Sequence, residues 1–251
     1  MGFAKLATSA APLLAFAALG ALAGCKGGTT QINGSEGVPL SQLDLSGPAP
    51  DTVVLAGPDN VIIEEGAKFD VKVASGAGAS SHLRFTLDDG TLGIMRDETS
   101  FPGSDPATVH VTMPAPRSLT AAGSGTIRSA ALTGAAEVVI GGSGTIETPS
   151  VAADALEVTI AGSGTYVAGG AAKTLELSIG GSGSARMDGL KVESAQVNMA
   201  GSGSAGFTSD GTVNASILGS GDVTVHGKAR CTVDAVGSGT LTCDGGTKGS
   251  E

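Results

Sequence analysis

The chain has no tryptophan, and Tyr166 is its only tyrosine; aromatics make up 3% of 251 residues. Carbohydrate-binding clefts rely on exposed aromatic platforms, so this chain is poorly equipped to stack on sugars. Charge of one sign is also scarce: 14 Lys and Arg stand against 24 Asp and Glu, for a net charge of −10. Nucleic acid demands basic patches, so no nucleic-acid partner is expected. The same balance weakens direct attraction to anionic lipid. Cysteine is rare, with three residues, and histidine equally so, at His82, His110 and His226. None of these histidines has a metal-ligand neighbour two or four residues away, and one Cys pair with no nearby His is a poor zinc site. No metal and no cofactor are expected. No segment shows a helical period.

Glycine is abundant instead, with 41 residues, and much of it is periodic. Gly-Ser-Gly occurs seven times in the second half, at Gly123-Ser124, Gly142-Ser143, Gly162-Ser163, Gly181-Ser182, Gly201-Ser202, Gly219-Ser220 and Gly237-Ser238, in steps of 18 to 20 residues. Evenly spaced self-similarity of this size marks a stacked repeat. Two residues before each first Gly stand Ala121, Ile140, Ile160, Ile179, Met199, Ile217 and Ala235. Four before it stand Leu119, Val138, Val158, Leu177, Val197, Ala215 and Val233, with mostly polar residues between. That alternation is a half-buried strand. A second short strand opens four residues after the Gly, at Ile127, Ile146, Tyr166, Ala185, Ala205, Val223 and Leu241. The triplet is the corner between them, where Gly supplies backbone angles other residues resist.

One such repeat cannot bury its apolar side alone; stacking copies does so continuously. The expected fold is all-β, a parallel β-helix or solenoid with 18 to 20 residues and two or three short strands per repeat. An antiparallel sandwich has no reason to place one triplet on one ladder seven times. The serines then form a row. A hydroxyl ladder for a sugar or an ordered surface is one reading; a small residue bonding to local backbone is the other.

The N-terminus is read as a leader. Lys5 precedes an apolar run, Leu13 to Leu22, and Leu22-Ala23-Gly24-Cys25 follows. Charge, short apolar core and small residues make a signal-peptide order, too short for a mature spanning helix. The tetrapeptide resembles the bacterial lipobox, which implies a signal over residues 1–24, cleavage before Cys25 and lipidation there. The anchor is then the membrane partner. Lys26, where Asp would signal retention, leans toward the outer membrane. Residues 25–48 read as a flexible tether, 49–246 as one domain with repeats over 119–245, and 247–251 as a tail.

Cys231 and Cys243 lie six residues either side of Gly237, both on inward parity. An oxidising compartment permits a bridge, yet facing sheets about 10 Å apart would keep the two apart unless the layer pinches. A disulfide and two buried thiols both stay open.

Ahead of the repeats, short strands are expected at Thr52–Leu55, Asn60–Glu64, Phe69–Val73, Leu83–Leu87, Thr91–Met95 and Val109–Met113, with a turn at Asp88-Asp89-Gly90. Val53-Val54-Leu55-Ala56-Gly57, Asp89-Gly90-Thr91-Leu92 followed by Ile94, and Val109 to Met113 before Pro114 lead into Ala122-Gly123-Ser124-Gly125. In this order, over about residues 50–245, the chain resembles the bacterial autotransporter adhesin, head GIN domain family. The resemblance implies a right-handed β-helix on the cell envelope, often lipoprotein-borne. It implies no catalytic residues.

The triplets lack the Asp of calcium-binding nonapeptide repeats, since Thr145-Ile146 and Ser184-Ala185 stand in its place, so calcium-dependent folding is not expected. Arg84, Arg96 and Arg117 could clamp an anionic sugar only if the fold gathers them. The expected role is adhesion to surface glycans or envelope proteins without catalysis. The alternatives are an envelope scaffold and a polysaccharide-modifying enzyme.

Overall fold

A computed structural model describes residues 31–32, 34–74, 80–97, 105–245 and 247–250. The leader and Cys25 lie outside the described residues. Nineteen strands follow one another among these residues. A two-residue pair, β1 (Gln31–Ile32) and β2 (Ser35–Glu36), precedes β3 (Thr52–Gly57), β4 (Asn60–Glu65) and β5 (Asp70–Val73). The hairpin β6 (Leu83–Asp88) and β7 (Thr91–Arg96) turns at Asp89 (φ 48°) and Gly90 (φ 74°), both left-handed, as a two-residue hairpin loop requires. Then come β8 (Thr108–Met113), β9 (Ser118–Gly123) and β10 (Thr126–Ser129).

From here the strands lengthen: β11 (Leu132–Gly142), β12 (Thr145–Gly162), β13 (Thr165–Gly181), β14 (Ser184–Gly201) and β15 (Ser204–Gly219). The last coils are β16 (Asp222–His226), β17 (Arg230–Gly237), β18 (Thr240–Cys243) and β19 (Thr247–Ser250). Pairing among β9 to β19 is parallel throughout. The expected β-solenoid is therefore the fold. Two or three short strands per repeat were expected, whereas each strand from β12 to β15 runs from one Gly-Ser-Gly corner to the next. It bends at register shifts, for example between Thr148 and Val151 and between Met187 and Lys191. Those bulges absorb the difference between 18- and 20-residue repeats.

The inward rows are the ones read from periodicity. Val53, Leu119, Val138, Val158, Leu177, Val197 and Ala215 stack in register and are buried, as are Ile127, Ile146, Tyr166, Ala185, Ala205 and Val223. Burying apolar area contributes roughly 25 cal/mol per Å2, and stacking lets each coil cover the one beneath.

The corners explain both glycines. At Gly142 φ is +117°, and a Cβ there would meet Gly123 O of the coil beneath at 2.6 Å. At Gly164, the third position, a Cβ would meet Ile140 Cγ2 at 2.3 Å. The first glycine serves backbone angle and close approach; the third serves packing over the core. Each serine between is exposed, and from Ser143 on each donates its N–H to the first Gly of the coil beneath, as Ser163 N does to Gly142 O at 2.9 Å. The seven hydroxyls make no hydrogen bond among the described residues; local bonding in the row is by backbone N–H.

Chain order and stacking order differ at the N-terminal end. β3 lies between β7 and β9, and β4 between β8 and β10. Gly57-Pro58-Asp59 is thus an eighth corner, with Gly57 in register with Gly123. The antiparallel strands β5 and β6 pair with β8 and β7 on the first coil.

Two boundary expectations are corrected. The stretch from 31 to 48, expected as tether, packs on the domain: Ile32 is buried against Val54 and Met95, and Leu40, Leu43 and Leu45 lie against the core. These leucines are spaced to reach one apolar wall. In addition, 247–250, expected as tail, pair as β19 with Arg230–Val233, because the last coil offers them an open edge.

Candidate functional site

With the core filled, chemistry is confined to the outward rows. Next to the inward Val and Ile row, the outward row reads Glu137, Glu157, Glu176, Gln196 and Asn214, in register from β11 to β15. Strands are about 4.8 Å apart, so three carboxylates stack without a basic residue in their row. Partial burial raises the pKa of Glu157, and the charges of Glu176 and Glu137 on either side add to the rise. Beside this row runs a shallow depression of about 610 Å3, floored by Ala136, Leu156, Leu175 and Ala195.

Across the neighbouring corner is a larger cleft of about 730 Å3. Ala152, Ala153, Ala171 and Ala172 form its floor, and Asp154, Lys173, Lys191, Glu193 and Asp210 its rim. Lys173 Nζ lies 2.5 Å from Asp154 Oδ1, which lowers the Asp154 pKa and raises that of Lys173. Ala152 and Ala171 are exposed in this lining, whereas Ala153 and Ala172 point into the core. Sequence reading missed this surface. Its signal is the run of small residues Ala152-Ala153 and Ala171-Ala172 at one repeat spacing, visible once the strands are known to bend there.

The three arginines are not gathered. Arg84 is ion-paired with Asp97, which also holds His82 Nδ1 at 3.1 Å. Arg96 donates two bonds to Asp59, through Nε at 2.9 Å and a terminal nitrogen at 2.6 Å, and these bonds raise its pKa. Asp59 is fully buried and also accepts the Ala107 N–H at 2.7 Å. Arg117 stands beside Gly134. An arginine clamp for an anionic sugar is therefore not built here: Arg84 closes the β6–β7 hairpin, and Arg96 ties β7 to the Gly57-Pro58-Asp59 corner.

Tyr166 is fully buried, with its hydroxyl 2.7 Å from Thr148 Oγ1. Burial pushes its phenol up to about 12, with the Thr148 bond acting the other way. It is a core residue and no platform for a sugar. Cys231 and Cys243 are joined as a disulfide with Cα atoms 6.8 Å apart. The layer pinches at this end of the stack, which resolves the objection from sheet spacing. Among the described residues, no three His, Cys, Asp or Glu side chains are grouped to hold a metal ion.

These features define a class: a solid, parallel β-solenoid with a polar, small-residue flank. The comparisons narrow it. The family model for Putative auto-transporter adhesin, head GIN domain, matches residues 49–229, and the chain belongs to that family. No curated protein matches the sequence. Among solved structures, a putative adhesin from Bacteroides fragilis NCTC 9343 is similar at TM-score 0.71 and 17% identity, over 78% of this chain and 92% of that one. One from Parabacteroides merdae ATCC 43184 is similar at 0.61 and 18%, over 78% and 92%. A structure described as a putative lipid binding protein, from Parabacteroides distasonis ATCC 8503, is similar at 0.59 and 19%, over 78% and 93%. At these identities the likeness is one of fold.

Proposed function

We propose that this chain is a non-catalytic binding module of the bacterial cell envelope, held to the membrane through lipidated Cys25. In this reading the flank of β11 to β15 is its adhesive surface. The observation that carries it is the pair of depressions, of about 730 and 610 Å3, on either side of one corner. Together they offer carboxylates, ammonium groups, amides and hydroxyls in repeating rows over a small-residue floor. Such a surface suits an extended polymer with its own repeat, a surface glycan or a strand of an envelope protein, held by hydrogen bonds and charge. A hydrolase would place two carboxylates on opposite sides of the scissile bond; Glu137, Glu157 and Glu176 face the same way from one row. The lipid-binding description of one structural neighbour is not extended to this chain, because stacked Val, Ile and Leu fill the solenoid along its described length.

The test is binding of the purified soluble domain to whole cells and to isolated envelope glycans. Reversing the rim with Lys173→Glu and Lys191→Glu should weaken retention severalfold while circular dichroism is unchanged. Unaltered binding by this variant would exclude the flank, and no binding by either protein would favour the scaffold reading. Anchorage has its own test: Cys25→Ala should move the full chain from the membrane to the soluble fraction.

A further inference from the structure

The C-terminal coil is tied to the stack by a histidine between two carboxylates. His226, the last residue of β16, has Nδ1 2.7 Å from Asp244 Oδ2, just past β18. Its Nε2 lies 3.3 Å from Asp188 Oδ1 on β14. β14, β15, β16 and β18 are successive layers here, so three side chains link the coils of β14, β16 and β18 across β15. On the intervening coil Thr208, the register partner of His226, donates its hydroxyl to Asp188 O at 2.8 Å and holds that turn in place.

A neutral imidazole carries one N–H and one lone pair; only the imidazolium donates from both nitrogens. Two carboxylates facing the two ring nitrogens therefore call for the protonated ring. When the proton leaves, one nitrogen turns a lone pair on a carboxylate, and one of the two links fails. The carboxylates sit on opposite sides of the ring, so they do not converge on a common metal position. Asp188 and Asp244 are the charged groups that act on His226. Nearby Asp210 is engaged with the Lys228 backbone N–H at 2.9 Å.

We propose that His226 is a proton-operated latch on the C-terminal coil. As the imidazolium it fastens the turn at Asp244 to Asp188 across the layers between. On deprotonation β18 and β19 loosen from β16 and β17, and the apolar layer of Val223 and Val225 beneath them becomes accessible. The disulfide keeps the coil attached while it is loose.

The direction is consistent with the electrostatics. The hydrogen bond to Asp244 raises the His226 pKa above the ordinary histidine value; desolvation works against it, and the charges of Asp244 and Asp188 add to the rise. A group with a raised folded pKa stabilises fully below its unfolded pKa. That stabilisation is lost as pH rises through the folded pKa. The latch is thus closed in mildly acidic surroundings and opens toward alkaline pH.

Amide hydrogen exchange on the mature chain with the disulfide intact tests this, corrected for intrinsic rates and referenced to β13. Between about pH 5 and pH 9, protection of the Thr240 and Asp244 amides should fall about two- to fivefold, the range of a solvent-exposed ion pair. His226→Gln and Asp188→Asn should each flatten that profile. A flat wild-type profile overturns the latch, and so does a variant profile that falls in parallel with it. Titration of the His226 ring below the ordinary histidine range by NMR would overturn it as well.

Discussion

Gly142 shows how little freedom the repeat leaves a single position. Alanine there would carry a Cβ into Gly123 O at a backbone angle side chains resist. Gly142→Ala is expected to cost about 2 kcal/mol or more, read as a lower thermal midpoint. Ser143→Ala, one residue on, should be nearly silent, because its hydroxyl is exposed and its N–H bond remains. A destabilised S143A would show that the hydroxyl row is structural. Tyr166 gives a second test at this scale. As the only tyrosine it reports alone, and its phenolate absorbance should appear only near 12 while the chain stays folded. The sign follows: between about pH 10 and the folded value the unfolded state gives up its proton and the folded state does not. Stability therefore falls as pH rises through that window. An absorbance step near the usual tyrosine value, with the fold intact, would contradict the burial.

Elements hold together through what their ends do. The corner at Gly57-Pro58-Asp59 keeps the first glycine but carries Asp where the others carry Gly, buried in all but the last. The coil beneath has no two-residue corner at this point, since β7 ends at Arg96 and β8 begins at Thr108. The carboxylate then meets Arg96 and the Ala107 N–H. Asp59→Asn would remove the fully buried carboxylate that holds the Arg96 guanidinium. A loss of about 3–5 kcal/mol is expected by denaturant unfolding, with β7 and β8 losing protection first. A loss below about 1 kcal/mol would make the pair no better than a surface one. In the sequence this corner read only as a break between two apolar runs, because Pro and Asp hide its kinship with Gly-Ser-Gly.

For the whole molecule, the two ends of the stack are treated differently. Antiparallel strands and the packed segment from Ile32 to Leu45 lie over the N-terminal coils. At the other end Val236 is 65% and Leu218 60% exposed, Ala235 is exposed where its inward row ends, and β19 covers β17 only over Arg230–Val233. Unpaired strand edges of this kind recruit other chains. Deleting residues 229–251 would strip the disulfide layer and bare β16 and the Thr212–Gly219 part of β15. The truncated protein should aggregate in light scattering where the full domain stays monodisperse. An unchanged melting temperature and a monomeric truncation would show that the last coil is no cap.

The repeat, its parallel stacking and its inward rows follow from the sequence, because a side-chain alternation of two and a Gly-Ser-Gly every 18 to 20 residues admit one packing. Cys231 and Cys243 could be placed on inward parity by the same count. Their pairing could not, since it depends on how far the last layer narrows. Stacking order at the N-terminus was likewise settled only in three dimensions: Val53 pairs with both Leu92 and Leu119, and backbone hydrogen bonds carry no sequence code for which strand lies alongside. The alanine-floored cleft and the His226 latch arise where residues far apart in the chain share one wall. Period alone tells which residues stack; the bends of the long strands decide which of them meet.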